Sequence, residues 1–434
     1  MKEKKKNKIK FRKERGITLI ALVITVVILI ILATVTLNVV LGEGGLIQRA
    51  QQAKEWTEQA TSEEQQGLNS LMSEMANIMA EDSAVPIPPE EQFPKIEEVK
   101  GGEAFSEKTV IKDKVGNKIT IPAGFKVASD SGNTVQQGIV IEDVNASTDT
   151  AVQGSQYVWI PVGVFIKDNE TPSEEIILGR YDFDTTDGTA ELKQAAYTSD
   201  SPDNYTNEVT VENEYIELNT YRNGEESSRT NASAYELNKW IDSVKQNGGY
   251  YIGRYEASFA SGDNIENYKA ASKISTNNSK STMSYTTGTL WNDISQLDAS
   301  KISINTYSDS ISVKSDLMNS YAWDTAIAYI QEAGIINYAN KRGTDINTEL
   351  TNTGTKQDEA CKINDMASNL FEWTTEYCTS NYVSPPITRA GGGNGAPCTV
   401  RGGIYDNNNY FTCGRGSYTN TDNVGGFRIT LYMQ

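Results

Sequence analysis

The hydrophobic pattern changes character several times along the chain. Residues 17–41 form a run of 25 without a charge, interrupted only by Thr18, Thr25, Thr34, Thr36 and Asn38. As a helix rising ~1.5 Å per residue, this run is long enough to cross a bilayer. After a glycine-rich break at residues 42–45, apolar or small residues recur at Leu46, Ala50, Ala53, Ala60, Leu68, Leu71, Met75 and Ile78. Spacings of that kind predict an amphipathic stem helix over residues 42–83. Its stripe, broken by Thr57, Glu64 and Gly67, suits either pairing with neighbouring copies or docking on its own body. Pro86, Pro88, Pro89 and Pro94 then stop the helix, predicting an extended linker over residues 84–108.

Beyond the linker the period shortens. Apolar runs at residues 110–111, 119–121, 125–127, 138–141 and 157–162 alternate with turn residues and predict short strands. Residues 182–230 are rich in Asp, Asn, Ser, Thr and Glu, which reads as a long surface insertion. Ser233 and Glu236 have capping-box spacing, Leu237, Trp240, Ile241 and Val244 share one helical face, and Gly248 can end the helix. A strand over residues 250–259 and a second polar stretch over 260–310 follow. Asn319 or Ser320 then caps another helix that buries Trp323, Ala326, Ile327, Ile330 and Ala333 before Gly334. The pattern predicts an α+β fold: a transmembrane and stem helix followed by a loop-rich domain over residues 109–434.

Charge sharpens this division. Residues 1–16 hold nine Lys or Arg against two Glu, so that stretch is +7 and the remaining chain carries −25 of the −18 total. A basic flank stays cytoplasmic, which orients the chain as a single-pass membrane protein, contacting lipid through residues 17–41, with its body outside. So acidic a body disfavours nucleic-acid partners. Histidine is absent, which removes the Ser-His-Asp and Cys-His arrangements and most zinc sites. Cys361, Cys378, Cys398 and Cys413 lack a CxxC spacing, and paired or free thiols both remain open.

Two resemblances follow from particular residues. The basic residues ending at Gly16, followed by Ile17, Thr18, Leu19 and Ile20, resemble a type IV prepilin leader, which implies cutting between Gly16 and Ile17. Ala21 stands where type IV pilins usually carry Glu. Three further blocks, residues 365–374 (Asp-Met-Ala-Ser-Asn-Leu-Phe-Glu-Trp-Thr), Arg401-Gly402-Gly403 and Gly426-Phe427-Arg428, resemble the formylglycine-generating, sulfatase-modifying family. That family is a variant of the C-type lectin fold, and the likeness extends over about residues 109–434. Its enzymes use two copper-binding cysteines after the Arg-Gly-Gly block. Here those positions hold Asn407 and Thr412, and Cys413 is the one thiol nearby. A Cu(I) site needs at least two thiolates, so the expectation is a non-catalytic domain with no cofactor. Glu372, Trp373, Arg401 and Arg428 are expected to be structural, with Glu372 and Trp373 in the core.

Between the second and third blocks, thirteen of the 18 residues 406–423 are Asn, Asp, Ser, Thr or Tyr, a composition suited to adaptable binding loops. Lectin-fold proteins diversified by retroelements resemble this chain in the flanking blocks and carry variable residues here. The resemblance implies a ligand face made of Tyr405, Asp406, Asn407, Asn408, Asn409, Tyr410, Thr412, Arg415, Ser417, Tyr418 and Asn420. Its expected partner is an extracellular ligand or surface protein. The leader reading has a direct check. Mass spectrometry of the mature protein should find Ile17 at its N-terminus, and protease added to intact cells should remove the body from about Glu55 onward.

Overall fold

The computed structural model describes residues 93–197, 215–217, 237–276, 286–346, 348–355, 358–378, 390–392, 398–407, 410–418 and 425–434. The leader, the apolar run, the stem and the Ser233–Glu236 capping box lie outside these residues. No helix among the described residues is long and apolar enough to cross a membrane. The described residues belong to one compact unit, Gln92–Gln434, the second of the two into which the chain divides. The second begins before the expected boundary at residue 109, because Ile96, in the one-turn helix Ile96–Val99, is fully buried and Lys95 bridges to Lys112.

The described unit is a mixed, mostly β structure. Its centre is a six-stranded antiparallel sheet in the order Val313–Leu317, Ile429–Met433, Gly249–Gly253, Gln156–Pro161, Val140–Asp143, Phe125–Val127. Side chains alternate across a strand, and adjacent tyrosines show the two faces. Tyr250 packs on Trp240 of the helix Leu237–Asn247 and donates its hydroxyl to the Ala322 carbonyl of the helix Ser320–Glu332 (2.7 Å). Tyr251 packs on Trp159 and donates to the Thr120 carbonyl (2.9 Å), under the hairpin Thr109–Lys112 and Lys118–Ile121. Both faces are therefore covered, and all five residues of Gly249–Gly253 and of Ile429–Met433 are buried. The second helix starts as its sequence predicts: the Asn319 side chain accepts from the Ala322 amide at 2.9 Å.

A second sheet gathers the three sequence blocks. Glu372–Cys378 pairs antiparallel with Cys398–Arg401 and parallel with Gly426–Phe427, setting Glu372 between Arg401 and Gly426 and Trp373 between Val400 and Phe427. Arg415–Tyr418 adds to the far side of Cys398–Arg401, with Arg401 opposite Arg415. Glycine is required in the middle block. Gly402 has φ +86°, and a Cβ on Gly403 would sit 2.2 Å from the Ala367 carbonyl oxygen.

Two stretches expected to be surface contain interior elements. The strand Gly179–Phe183 runs into residues 182–230 and pairs there with Ala190–Ala195, and within that stretch Phe183, Gln194, Ala196 and Glu217 are buried. Within 260–310, Leu290, Trp291 and Ile294 are buried and a helix runs over Gln296–Thr306. Its inward face carries Ser300, Ser303 and Thr306 beside Ala299 and Ile302, so no apolar stripe marks it. The hydroxyls of Ser303 and Thr306 are satisfied locally, each donating at 2.7 Å to the carbonyl four residues earlier.

Trp373 is fully buried and donates its indole N–H to the Ile294 carbonyl at 2.7 Å. Trp373→Ala should cost ~3–5 kcal/mol of unfolding free energy, readable in a denaturant titration of the purified protein.

Candidate functional site

Below the second sheet lies a solvent-shielded ionic cluster. Arg180, Asp324, Glu376, Arg401 and Arg415 come from a hairpin, a helix and three different strands, and each is at most 1% exposed. Glu376 accepts from Arg180 at 2.5 Å, from Arg401 at 3.2 Å and from Arg415 at 3.0 Å. Asp324 accepts from Arg401, from Arg415 at 2.9 Å and from the Tyr181 amide at 3.0 Å. Burial pushes the Glu376 carboxyl up, but the guanidiniums of Arg415, Arg401 and Arg180 outweigh it and hold that carboxyl at about 2. Glu217, which also feels Arg180, takes the Ser320 amide (2.8 Å) and hydroxyl (2.7 Å) and the Thr375 hydroxyl (2.6 Å). Three arginines thus face three carboxyls. Breaking one such buried pair typically costs ~3–5 kcal/mol because a charge is left uncompensated.

Arg428 forms a second centre. It donates to both oxygens of Glu372 (3.0 and 2.6 Å) and to the carbonyls of Gly253 and Asn364 (2.8 Å each). Around it lie three more buried carboxyls, Glu256, Asp358 and Asp365. Burial pushes Asp358 up to about 6 and raises Asp365. Burial, with Asp365 and Glu372 adding to it, lifts Glu256 well above the carboxylate range. Among the described residues, no group of three or more metal-ligating side chains is arranged to hold a metal ion.

These two centres hold up an exposed turn. Ile404 bridges to Asn407, and the Tyr405 amide donates to the Asn369 carbonyl at 3.3 Å. Asp406 is exposed, while Tyr405, Asn407 and Tyr410 are half-buried, Tyr410 resting edge-on against Phe371 at 4.5 Å. A second loop lies alongside. Arg342 bridges to Phe411 with its guanidinium 4.6 Å from the ring centroid, and the Thr412 amide donates to the Lys341 carbonyl at 2.9 Å. Further along this loop, the Thr351 amide donates to the Asn369 side-chain oxygen at 2.9 Å.

The expected ligand face therefore divides. Tyr405, Asp406, Asn407 and Tyr410 lie together at the turn, whereas Asn408, Asn409 and Asn420 are outside the described residues. Tyr418, half-buried and edge-on to Trp373, lies at the other end of the strand Arg415–Tyr418. Three expected face residues are corrected to interior positions. Arg415 belongs to the ionic cluster, Ser417 is buried on its strand, and Thr412 is buried with its carbonyl taking the Trp323 indole N–H at 3.0 Å. A polar composition disguised them, because the partners of Arg415 and Thr412 lie 39 or more residues away in the chain. The cluster members Arg180, Asp324 and Glu376 and the 341–352 loop were not singled out by sequence. Asp324 had a usable signal, since it and Glu332 are the only charges in the helix Ser320–Glu332.

Cys361 contacts the Tyr329 hydroxyl, and burial pushes its thiol up to about 12, out of the nucleophilic range near neutrality. Compared with known proteins, the chain matches no family model, no curated protein and no solved structure.

The buried acids give the unit a distinctive pH profile. Asp143, pushed up to about 6 by burial despite the Tyr307 hydroxyl, joins Asp358 in binding a proton more tightly folded than unfolded. Their contribution is full below about 3.8 and is lost as pH rises to about 6. Glu376 acts oppositely: its stability is present above about 4.5 and is lost as pH falls towards 2. Two carboxyls losing stability above about 3.8 outweigh the one still gaining it up to about 4.5, so melting temperature should be highest near pH 4 and decline as pH rises through 6. A profile still rising from pH 5 to 7 would contradict this account of the buried carboxyls.

Proposed function

We propose that this chain is a membrane-anchored, prepilin-like surface protein whose outward domain is a non-catalytic, C-type-lectin-like member of the sulfatase-modifying type. It binds an extracellular ligand or another surface protein through the turn at residues 404–410. The observation that carries the reading is the contrast within residues 401–428. Arg401, Gly402, Gly403, Arg415, Phe427 and Arg428 are all buried, while the intervening Tyr405, Asp406, Asn407 and Tyr410 reach solvent. A rigid frame presenting polar and aromatic loop residues is the usual architecture of recognition surfaces.

The neighbouring anchored loop at residues 341–352 enlarges this face and adds Arg342. A frame of this kind tolerates sequence change at the turn, because the stabilising contacts belong to the flanking strands. That tolerance supports diversification by a retroelement, and neighbouring DNA encoding a reverse transcriptase with a near-copy of the coding segment for residues 399–434 would accompany it. The stem at residues 42–83 would support self-association at the membrane.

Tyr405→Ala and Tyr410→Ala should leave the melting transition within ~0.5 kcal/mol of the parent yet weaken capture of whole-cell or virion surfaces displaying the ligand. A tyrosine central to the contact should cost ~2 kcal/mol or more of affinity. Arg415→Ala should instead abolish the cooperative melt. Normal capture by both tyrosine variants would place recognition elsewhere.

A further inference from the structure

A cleft of about 460 Å³ opens where the hairpin Thr109–Lys112 and Lys118–Ile121, the end of the strand Gln156–Pro161 and the end of the helix Leu237–Asn247 meet. Val110, Pro161, Val162, Val164 and Phe165 give it apolar walls, and Val164 is 58% exposed. Its charged lining residues are Lys118 and Lys245, with no Asp or Glu among the described residues that line it. In a chain of net charge −18 that is a local reversal of sign. Lys118 pairs with no described carboxylate. Its Nζ rests 4.6 Å from the Phe93 ring centroid, where Lys112 Nζ also sits at 5.5 Å, and a ring face holds an ammonium without neutralising it. Lys245 Nζ lies 5.0 Å from the Tyr197 ring centroid. Backbone bonds fix the shape of the cleft: the Gly248 amide donates to the Val244 carbonyl at 2.9 Å and the Val162 amide to the Gly248 carbonyl at 3.0 Å, tying the helix end to the strand end.

Trp159 supplies a second, independent observation. It lines the cleft yet is only 1% exposed, and its indole N–H donates to no described residue. The indoles of Trp240, Trp323 and Trp373 donate to the Thr430 hydroxyl (3.2 Å), the Thr412 carbonyl (3.0 Å) and the Ile294 carbonyl (2.7 Å), as buried tryptophans ordinarily do. The Trp159 ring is locked in place, edge-on to Tyr251 at 5.0 Å and so close to Gly249 that a Cβ there would lie 2.5 Å from Trp159 Cζ2. Unable to turn toward an acceptor inside the protein, the N–H is met from the cleft. We propose that this cleft binds a small aryl carboxylate, with its ring on the apolar walls and its carboxylate accepting from the Trp159 indole under the charge of Lys118 and Lys245. The edges of Phe165 and Trp159 favour an aromatic partner. One fixed N–H and two lysines match the two oxygens of a singly charged carboxylate, whereas a phosphate asks for more donors. None of the lining residues belongs to the turn at residues 404–410 or to the loop at 341–352, so this site is independent of the recognition face.

Phenylacetate and its uncharged counterpart phenylacetamide are the probes, titrated into the full-length protein by calorimetry and by nuclear magnetic resonance of isotopically labelled tryptophan side chains. Phenylacetate should bind saturably and move the indole resonance that Trp159→Phe deletes. Phenylacetamide should bind at least ~tenfold more weakly, the difference a charged hydrogen-bond acceptor makes. Val164→Glu sets a like charge beside the ligand and should weaken phenylacetate by ~tenfold while leaving the melting transition unchanged, since the side chain it alters is exposed. Lys118→Gln should weaken phenylacetate and leave phenylacetamide as it was. No saturable response in the millimolar range overturns the site, leaving the Trp159 N–H to water alone. Equal binding of the acid and the amide overturns the carboxylate preference, and phenylacetate binding that V164E leaves intact places the ligand elsewhere. The comparison of V164E with the parent needs no resonance assignment, so it decides the matter even if W159F fails to fold. Tyr405→Ala and Tyr410→Ala should bind phenylacetate as the parent does, which keeps failure here separate from failure of the recognition face.

Discussion

The constraint on which this unit depends is electrostatic neutrality inside the protein. Arg180, Arg401 and Arg415 bring three positive charges into a space closed to water, where Asp324, Glu376 and Glu217 answer them. A guanidinium offers five donors in a rigid plane, so each arginine must be met at fixed angles as well as by opposite charge. Satisfying all three at once fixes the hairpin Gly179–Phe183 and Ala190–Ala195, the helix Ser320–Glu332 and the strands of the second sheet relative to one another. Apolar packing alone tolerates sliding that such a network does not.

Arg428 does a related task between the sheets. It follows Gly426–Phe427 of the second sheet and precedes Ile429–Met433 of the first, and it bonds to Glu372 in one and to Gly253 in the other. The final strand then enters the first sheet one position in from its edge, between Val313–Leu317 and Gly249–Gly253. Closure of the unit therefore waits for its last residues, and the surface turn at residues 404–410 is held between two buried arginine centres.

A mostly polar chain can still build such an interior. Ser303 and Thr306 return their hydroxyls to their own helix, Ser300 lies on the same buried face, and Glu217 serves the first residue of the helix Ser320–Glu332. Burial of Ser303, Thr306 and Glu217 is inexpensive because each hydrogen bond lost to water is replaced nearby, whereas the buried Ser300 hydroxyl has no hydrogen-bond partner among the described residues.

What the sequence by itself determined is local. The early strands, the Asn319 cap and the faces of both apolar helices follow from period and capping chemistry, which act over a few residues; the structural role of Arg401 and Arg428 follows from guanidinium chemistry, and the core position of Glu372 and Trp373 is what the resemblance of their block implied. Only the tertiary structure decided that Arg415, Ser417 and Thr412 leave the expected surface for the interior, that Asp324 and Glu376 answer three arginines, and that a loop near Arg342 joins the turn. The physical reason is that a polar side chain is equally at home in water or opposite a buried partner. Which of the two it meets depends on residues such as Asp324, 91 positions before Arg415, and no local pattern encodes that separation.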